Sequence, residues 1–242
     1  MYPPEGDSVS TPDLSAPIPQ HRLMAWFSLV LALWVAVTSA ATLLIPADPH
    51  AMWFNLMVVA PIVVLPAACA AAYRRWPRFR STLLALDLSA VTAVQGMRIA
   101  GIAMLSLWAA GRMTPGFALW AGGLDVFIGL TAVPLAYLVV VRRPLARRLL
   151  RAWHSVGILD FVIAIPLGLA AAPTAMRLIK NGPSTYEMFS FPLSFIPMVG
   201  VPFMIIMHGV AIVQLRSSRY PHTNGIVHRP LPGTPAGARE ST

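Results

Sequence analysis

An apolar stretch near the middle of the chain, residues 95–104, reads QGMRIAGIAM. It lies inside a longer run, Thr82 to Trp108, in which Arg98 is the only basic residue. About 20 helical residues cross a hydrocarbon core about 30 Å thick, so this run is long enough to span a membrane. Because a charge at that depth is costly and normally faces the interior of a helix bundle, the stretch predicts both a transmembrane helix and an internal polar site.

The composition of the whole chain indicates the same class of protein. Of its 242 residues, 57% are hydrophobic and only 11% are charged, whereas soluble domains hold about 25% charged residues. The sequence lacks the alternating strands of a membrane barrel, so the backbone has to be satisfied within helices. We therefore predict an all-α integral membrane protein with a bundle of six transmembrane helices. The predicted spans are Leu23 to Ile45, Met52 to Tyr73, Thr82 to Trp108, Phe117 to Val141, His154 to Ala172 and Phe189 to Leu215.

Arginine-rich loops set the predicted orientation. The formal net charge of +9 suggests nucleic-acid binding at first sight, but basic residues that accumulate in loops are typical of the cytoplasmic side of membrane proteins. Both termini are therefore predicted to be cytoplasmic, nucleic acid is not expected as a partner, and anionic lipid headgroups are expected at these loops. The preference for Arg over Lys and the high Ala content fit a GC-rich bacterial genome, so the predicted location is the bacterial cytoplasmic (inner) membrane. The loop arginines are Arg74, Arg75, Arg78 and Arg80, then Arg142, Arg143, Arg147, Arg148 and Arg151.

The two ends of the chain differ from the apolar middle. Residues 1–22 and 216–242 are rich in Pro, Gly, Ser and Thr, and they lack the apolar content needed to order themselves. We predict a disordered leader, a transmembrane domain over residues 23–215 and a disordered basic tail. The leader lacks the basic start of a signal peptide, so the first helix is expected to be retained.

Two polar residues are predicted to pair near the middle of the membrane. Arg98 lies ten residues before Trp108, and Asp125 lies eight residues after Phe117, which places them about 15 Å and about 12 Å deep at a rise of 1.5 Å per residue. A buried ion pair keeps both charged, and a guanidinium suits a carboxylate partner. Gln95, three residues before Arg98, is expected to satisfy leftover donors or acceptors.

A second polar layer is predicted nearer the cytoplasm. Asp87, Asp160 and His208 all lie about 8 to 10 Å inside their spans by the same count. The eleven residues from Asp87 to Arg98 make nearly three turns, so one face of the third span would touch both layers. Such a column fits a proton relay, and it fits a set of structural ties equally well.

Small residues and prolines shape the helices around these groups. Gly and Ala recur every three or four residues about Asp125 and Asp160, which predicts close packing on protein rather than lipid. The sixth span opens with FPLSFIPMVGVP, residues 191–202. Its three prolines predict either a broken helix that lines a path or a kinked packing helix.

Motifs for common cofactors are missing from the sequence, so none is predicted. There is no local metal-ligand spacing, no pair of deep haem ligands and no nucleotide-phosphate loop. The leading hypothesis is a non-enzymatic secondary transporter or proton/solute permease. In it His208 and Asp160 accept protons, while Arg98 and Gln95 contact an anionic or polar solute. The alternatives are an accessory subunit or homo-oligomer that binds partner helices, and a membrane enzyme that acts on lipid.

Overall fold

The computed structural model describes residues 20–44, 52–141, 145–174 and 177–217. All regular structure in these ranges is helical, and a short 3-10 turn at Tyr186–Phe189 lies between the last two long helices. Helix α1 begins at Gln20, inside the predicted leader, whereas residues 1–19 and 218–242 of the predicted tails lie outside the described ranges. The helices are α1 (Gln20–Leu44), α2 (Met52–Arg75), α3 (Pro77–Leu84), α4 (Leu88–Ala109), α5 (Pro115–Val140), α6 (Ala146–Ala170) and α7 (Ile196–Arg216).

Five helices, α2 and α4 to α7, are long and apolar enough to cross a membrane, which confirms the helical part of the prediction. Their outward faces are apolar: the side chains of Val63, Val133 and Val162 are all more than half exposed. Their inward faces carry polar groups, and Arg98 and His208 are buried. Large exposed apolar faces of this kind are unusual in a soluble protein.

The third predicted span starts later than expected, and this removes Asp87 from the interior. The chain turns at residues 85–87, between α3 and α4, and Asp87 is the N-cap of α4. Its carboxylate accepts hydrogen bonds from the backbone N–H groups of Ser89 and Ala90. The Ser89 hydroxyl also donates to it and lowers the pKa of this exposed carboxyl below its ordinary value. The prediction that Asp87 belongs to a buried layer is therefore wrong.

The middle of α4 is wound more tightly than an α-helix. Val94–Gly101 forms a 3-10 helix, which is long for this conformation. With three residues per turn, side chains three apart in sequence lie on one line. The buried residues of the segment follow that rule, since they are Gln95, Arg98 and Gly101.

The fifth and sixth predicted spans also have shifted boundaries. Helix α6 begins at Ala146, two turns before the predicted start at His154. Helix α7 begins at Ile196 with a wide π turn over Ile196–Gly200, so the predicted start at Phe189 is wrong. Pro192 lies in the turn ahead of Ile196 and Pro197 lies in the π turn, so both precede the regular α-helix that begins at Val201.

Glycines bring α4 and α5 together. A Cβ atom added at Gly129 would lie 2.5 Å from the backbone nitrogen of Ile99, and one added at Gly101 would lie 2.5 Å from Cβ of Asp125. Larger side chains at either position would separate the helices. This close approach puts the Arg98 side chain beside Asp125.

Candidate functional site

The Arg98 guanidinium contacts side chains from three other helices. Its Nε donates to Oδ1 of Asp125 on α5 at 2.5 Å. Its Nη2 donates to Oδ2 of Asp160 on α6, and its Nη1 lies 3.0 Å from Nε2 of His208 on α7. Arg98 therefore ties four helices together at one point.

The structure brings the predicted pair into contact but merges the two predicted layers. Asp160 and His208, expected nearer the cytoplasm, contact the same guanidinium as Asp125. The depth count misplaced Asp160 because α6 starts earlier than predicted. From Ala146 it lies about 21 Å along the helix, at 1.5 Å per residue. The separate inner layer is a wrong prediction, and a single cluster replaces it.

Gln95 lies one turn from Arg98 but makes a different contact. It is fully buried, and its Nε2 donates to the backbone carbonyl of Met204 on α7 at 3.4 Å. Its Oε1 has no hydrogen-bond partner among the described residues. Gln95 thus joins α4 to α7 beside the cluster and makes no direct hydrogen bond to the Arg98 guanidinium.

His154 belongs to the site, and the sequence reasoning missed it. It is fully buried, and its Nδ1 lies 2.8 Å from Nδ1 of His208. Its Nε2 lies 3.4 Å from Oγ1 of Thr92 on α4. The available signal was the spacing of His154, Gly157 and Phe161 at i, i+3 and i+7, which puts them on one helix face. We call Arg98, Asp125, Asp160, His208 and His154 the arginine cluster.

The hydrogen bonds fix the protonation of both histidines. A guanidinium only donates, so Nε2 of His208 accepts and its Nδ1 carries the proton. That proton is donated to Nδ1 of His154, whose Nε2–H then donates to the Thr92 hydroxyl. Thr92 donates in turn to the carbonyl of Leu88 at 2.7 Å. A directed chain of hydrogen bonds therefore runs from Arg98 to the first turn of α4, with both imidazoles neutral.

The charges of the arginine cluster do not balance without one further positive charge. Two carboxylates face one guanidinium, and the neutral histidines contribute nothing. The side chains of Arg98 and Asp160 are each 2% exposed. An uncompensated charge at such a site costs several kcal/mol. The cluster therefore favours binding one proton or one other monovalent cation.

Aromatic and small residues complete the packing of the arginine cluster. The Phe161 ring covers the guanidinium, with Cζ of Arg98 4.4 Å from the ring centroid. A Cβ atom at Gly157 would lie 2.9 Å from Nδ1 of His208 and closer still to Cε1 and Nε2 of the same ring. Gly157 therefore makes the space that His208 occupies.

Two clefts flank the arginine cluster. The first, which we call the carboxylate cleft, has a volume of about 80 Å³ and is lined by Asp125 and Asp160 with apolar side chains from α2, α5, α6 and α7. The second, of about 230 Å³, opens beside the 3-10 segment and is lined by Arg98 and Asp125. Phe161 lines both. Oδ1 of Asp160 has no hydrogen-bond partner in the described ranges.

Comparison with known proteins places this site inside a family domain. No curated protein and no solved structure matches the chain. A family model described as "Domain of unknown function (DUF8737)" matches residues 51–216, which is more than two thirds of the chain. The match includes α2 to α7 and every member of the arginine cluster, and α1 lies outside it. The chain therefore belongs to the DUF8737 family of domains of unknown function.

Proposed function

We propose that the protein is a multi-pass protein of the bacterial cytoplasmic membrane, with six spans and both termini in the cytoplasm. Five long apolar helices support the membrane location, and the arginine-rich connections α2–α3 and α5–α6 support the orientation. Helix α1, with 25 residues, is the sixth span. Its Trp34 donates from Nε1 to the carbonyl of Met198 at 3.1 Å, which supports its packing on α7. The arginine loops would contact anionic lipid headgroups.

We further propose that this protein is a secondary transporter that binds a proton at the arginine cluster. One observation carries the proposal: a single buried guanidinium is shared by two carboxylates and a neutral imidazole. This arrangement needs one exchangeable positive charge to become neutral. Ionisable groups inside a membrane domain characteristically form such proton sites.

A proton route needs a path away from the carboxylates, and the hydrogen-bond chain through the histidines supplies one. Asp125 and Asp160 line the carboxylate cleft, whereas the chain through His208, His154 and Thr92 ends at Leu88. In the proposed orientation, Leu88 lies at the cytoplasmic end of α4 and the cleft approaches the outer side. The guanidinium keeps its own protons, so a proton that enters at the carboxylates passes inward when Nε2 of His208 turns away from Arg98 and accepts it from a carboxyl group.

Proton flux in proteoliposomes tests this function. Purified protein is reconstituted with a pH-sensitive dye inside, and a potassium diffusion potential drives proton entry. We expect the wild type to acidify the lumen and Asp160→Asn to fall to the rate of protein-free liposomes. The substituted cluster holds one guanidinium and one carboxylate, so it is neutral without a proton and is expected to fold.

Asp87→Asn is the matched control for this experiment. It also removes one carboxylate, but Asp87 is exposed and Asn caps a helix about as well as Asp. Flux should therefore persist in this variant. Full flux from folded Asp160→Asn protein would contradict the proposed role of the arginine cluster.

A further inference from the structure

The carboxylate cleft has the composition of a site for a small organic cation. Among the described residues that line it, the charged ones are Asp125 and Asp160. Three phenylalanines, Phe117, Phe161 and Phe189, line it together with aliphatic and methionine side chains. A cation is attracted by the carboxylates and by the faces of aromatic rings, while an apolar body is accepted by the remaining walls.

The free acceptor in this region is a carboxylate oxygen rather than a guanidinium donor. Each of the three nitrogens of Arg98 already donates one hydrogen bond, and Arg98 is not among the described residues that line the carboxylate cleft. Oδ1 of Asp160, whose side chain is 2% exposed, has no hydrogen-bond partner in the ranges that the structure describes. A ligand that satisfies this oxygen has to donate a hydrogen bond. In the carboxylate cleft these contacts favour a cationic solute, whereas the sequence predicted that Arg98 and Gln95 contact an anionic or polar solute.

The residues that line the carboxylate cleft argue against an inorganic ion as its ligand. Sodium and calcium ions require several oxygen ligands, but most cleft residues offer only carbon or sulfur. The Thr185 hydroxyl, one of the few polar groups, donates to the carbonyl of Gly168. Within the described residues, no group of three or more His, Cys, Asp or Glu side chains is arranged to hold a metal ion.

We propose that the carboxylate cleft binds a small monovalent alkylammonium ion in exchange for the proton of the arginine cluster. This inference rests on the proposed proton-binding function. The cluster needs one positive charge, so the ammonium ion and the proton compete for the same neutralising role. As the ammonium ion donates to Asp160, the carboxyl proton leaves to solvent, and the net charge of the cluster stays constant.

The size of the cleft limits the ligand. A volume of about 80 Å³ exceeds by several times the 10–15 Å³ that one water molecule needs. This leaves room for a ligand of a few heavy atoms, such as methylammonium or ethylammonium.

Calorimetric titration of the full-length protein in detergent tests this exchange. Ethylammonium chloride is titrated in two buffers with different ionisation enthalpies, so that the released protons are counted. We expect about one proton released per ion bound, because ammonium binding replaces one proton. Tetramethylammonium, which has no N–H, should bind about tenfold or more weakly because it cannot donate to Asp160.

Three variants distinguish the cleft from the rest of the molecule. Asp160→Asn should lose ethylammonium binding, whereas Asp87→Asn should bind as the wild type does. Ala164 lines the carboxylate cleft and bears no polar group. Ala164→Leu should therefore fill the cleft and abolish ethylammonium binding in the same titration, although every charged group is unchanged.

Several results would overturn the inference. Proton flux in the wild type without ethylammonium binding would refute the ammonium site and leave the proton function standing. If folded wild-type protein shows neither proton flux nor ethylammonium binding, the proton function and the ammonium site are both refuted. If sodium ions bind as tightly as ethylammonium, or if acetate binds with uptake or release of protons, the ligand is not an organic cation and the inference is wrong.

Discussion

Substitution of Gly157 by alanine should break the arginine cluster without touching a charged residue. The added methyl group would lie 2.9 Å from Nδ1 of His208 and closer still to Cε1 and Nε2. Either the helices separate, with about 1–3 kcal/mol of overpacking strain, or the ring moves away. In the second case the hydrogen bond from Arg98 is lost, at about 1.5–3 kcal/mol. The protein adopts the response that costs less, so the smaller of these two free energies is the expected loss of stability.

Gly209→Ala provides the matched control, because a Cβ atom there meets nothing within 4 Å. Both substitutions replace a helical glycine, so both gain up to about 1 kcal/mol of helix propensity. The difference between the variants therefore isolates the contact with His208. We expect Gly157→Ala to be less stable than Gly209→Ala by about 1–3 kcal/mol. The same variant should lose proton flux because its hydrogen-bond chain is interrupted.

Unfolding of the purified variants in mixed micelles, with increasing fractions of a denaturing detergent, measures this difference. Flux is measured on the same preparations. Equal stabilities within about 0.5 kcal/mol, together with unchanged flux, would refute the reasoning that Gly157 makes the space for His208.

Other substitutions test separate contacts. Trp34→Phe removes the hydrogen bond to the carbonyl of Met198 and should lower the stability by about 0.5–1.5 kcal/mol in the same unfolding assay. Asp87→Ala should lower it by about 0.5–2 kcal/mol at neutral pH. Because the pKa of Asp87 is lowered on folding, its contribution is present above about pH 4 and lost as the pH falls further, so the gap from wild type should shrink in acid. Thr92→Val leaves the His154 Nε2–H without its acceptor and should lower the stability by about 1–3 kcal/mol, whereas Thr92→Ser should retain the wild-type stability more closely.

The parts of the fold that depend on length and polarity could be predicted from the sequence. A membrane core sets a minimum helix length, so long apolar runs identified five of the helices without knowledge of their contacts. Depth counting also brought Arg98 and Asp125 to one level. Depth counting succeeded here because a short connection joins α4 to α5, so both depths are counted from nearly the same membrane level.

The errors occurred where apolar composition does not reveal a helix boundary. Leu84 to Leu86 are apolar, so the turn before Asp87 reads as continuous helix. The first turns of α6 contain arginines, which hid the fact that His154 lies well inside a helix. Hydropathy reports the transfer of side chains into lipid and carries little information on capping. The aspartate that caps a helix and the histidine that completes the arginine cluster were therefore both misjudged.

The 3-10 segment Val94–Gly101 would move the Arg98 side chain if it changed to α-helical geometry. Each residue turns about 120° in a 3-10 helix and about 100° in an α-helix, so relaxation to α geometry rotates Arg98, four residues after Val94, by about 80°. The same relaxation shortens the eight-residue segment by about 4 Å, since the rise falls from 2.0 to 1.5 Å per residue. Untwisting of this one segment would therefore rotate the guanidinium through nearly a quarter turn.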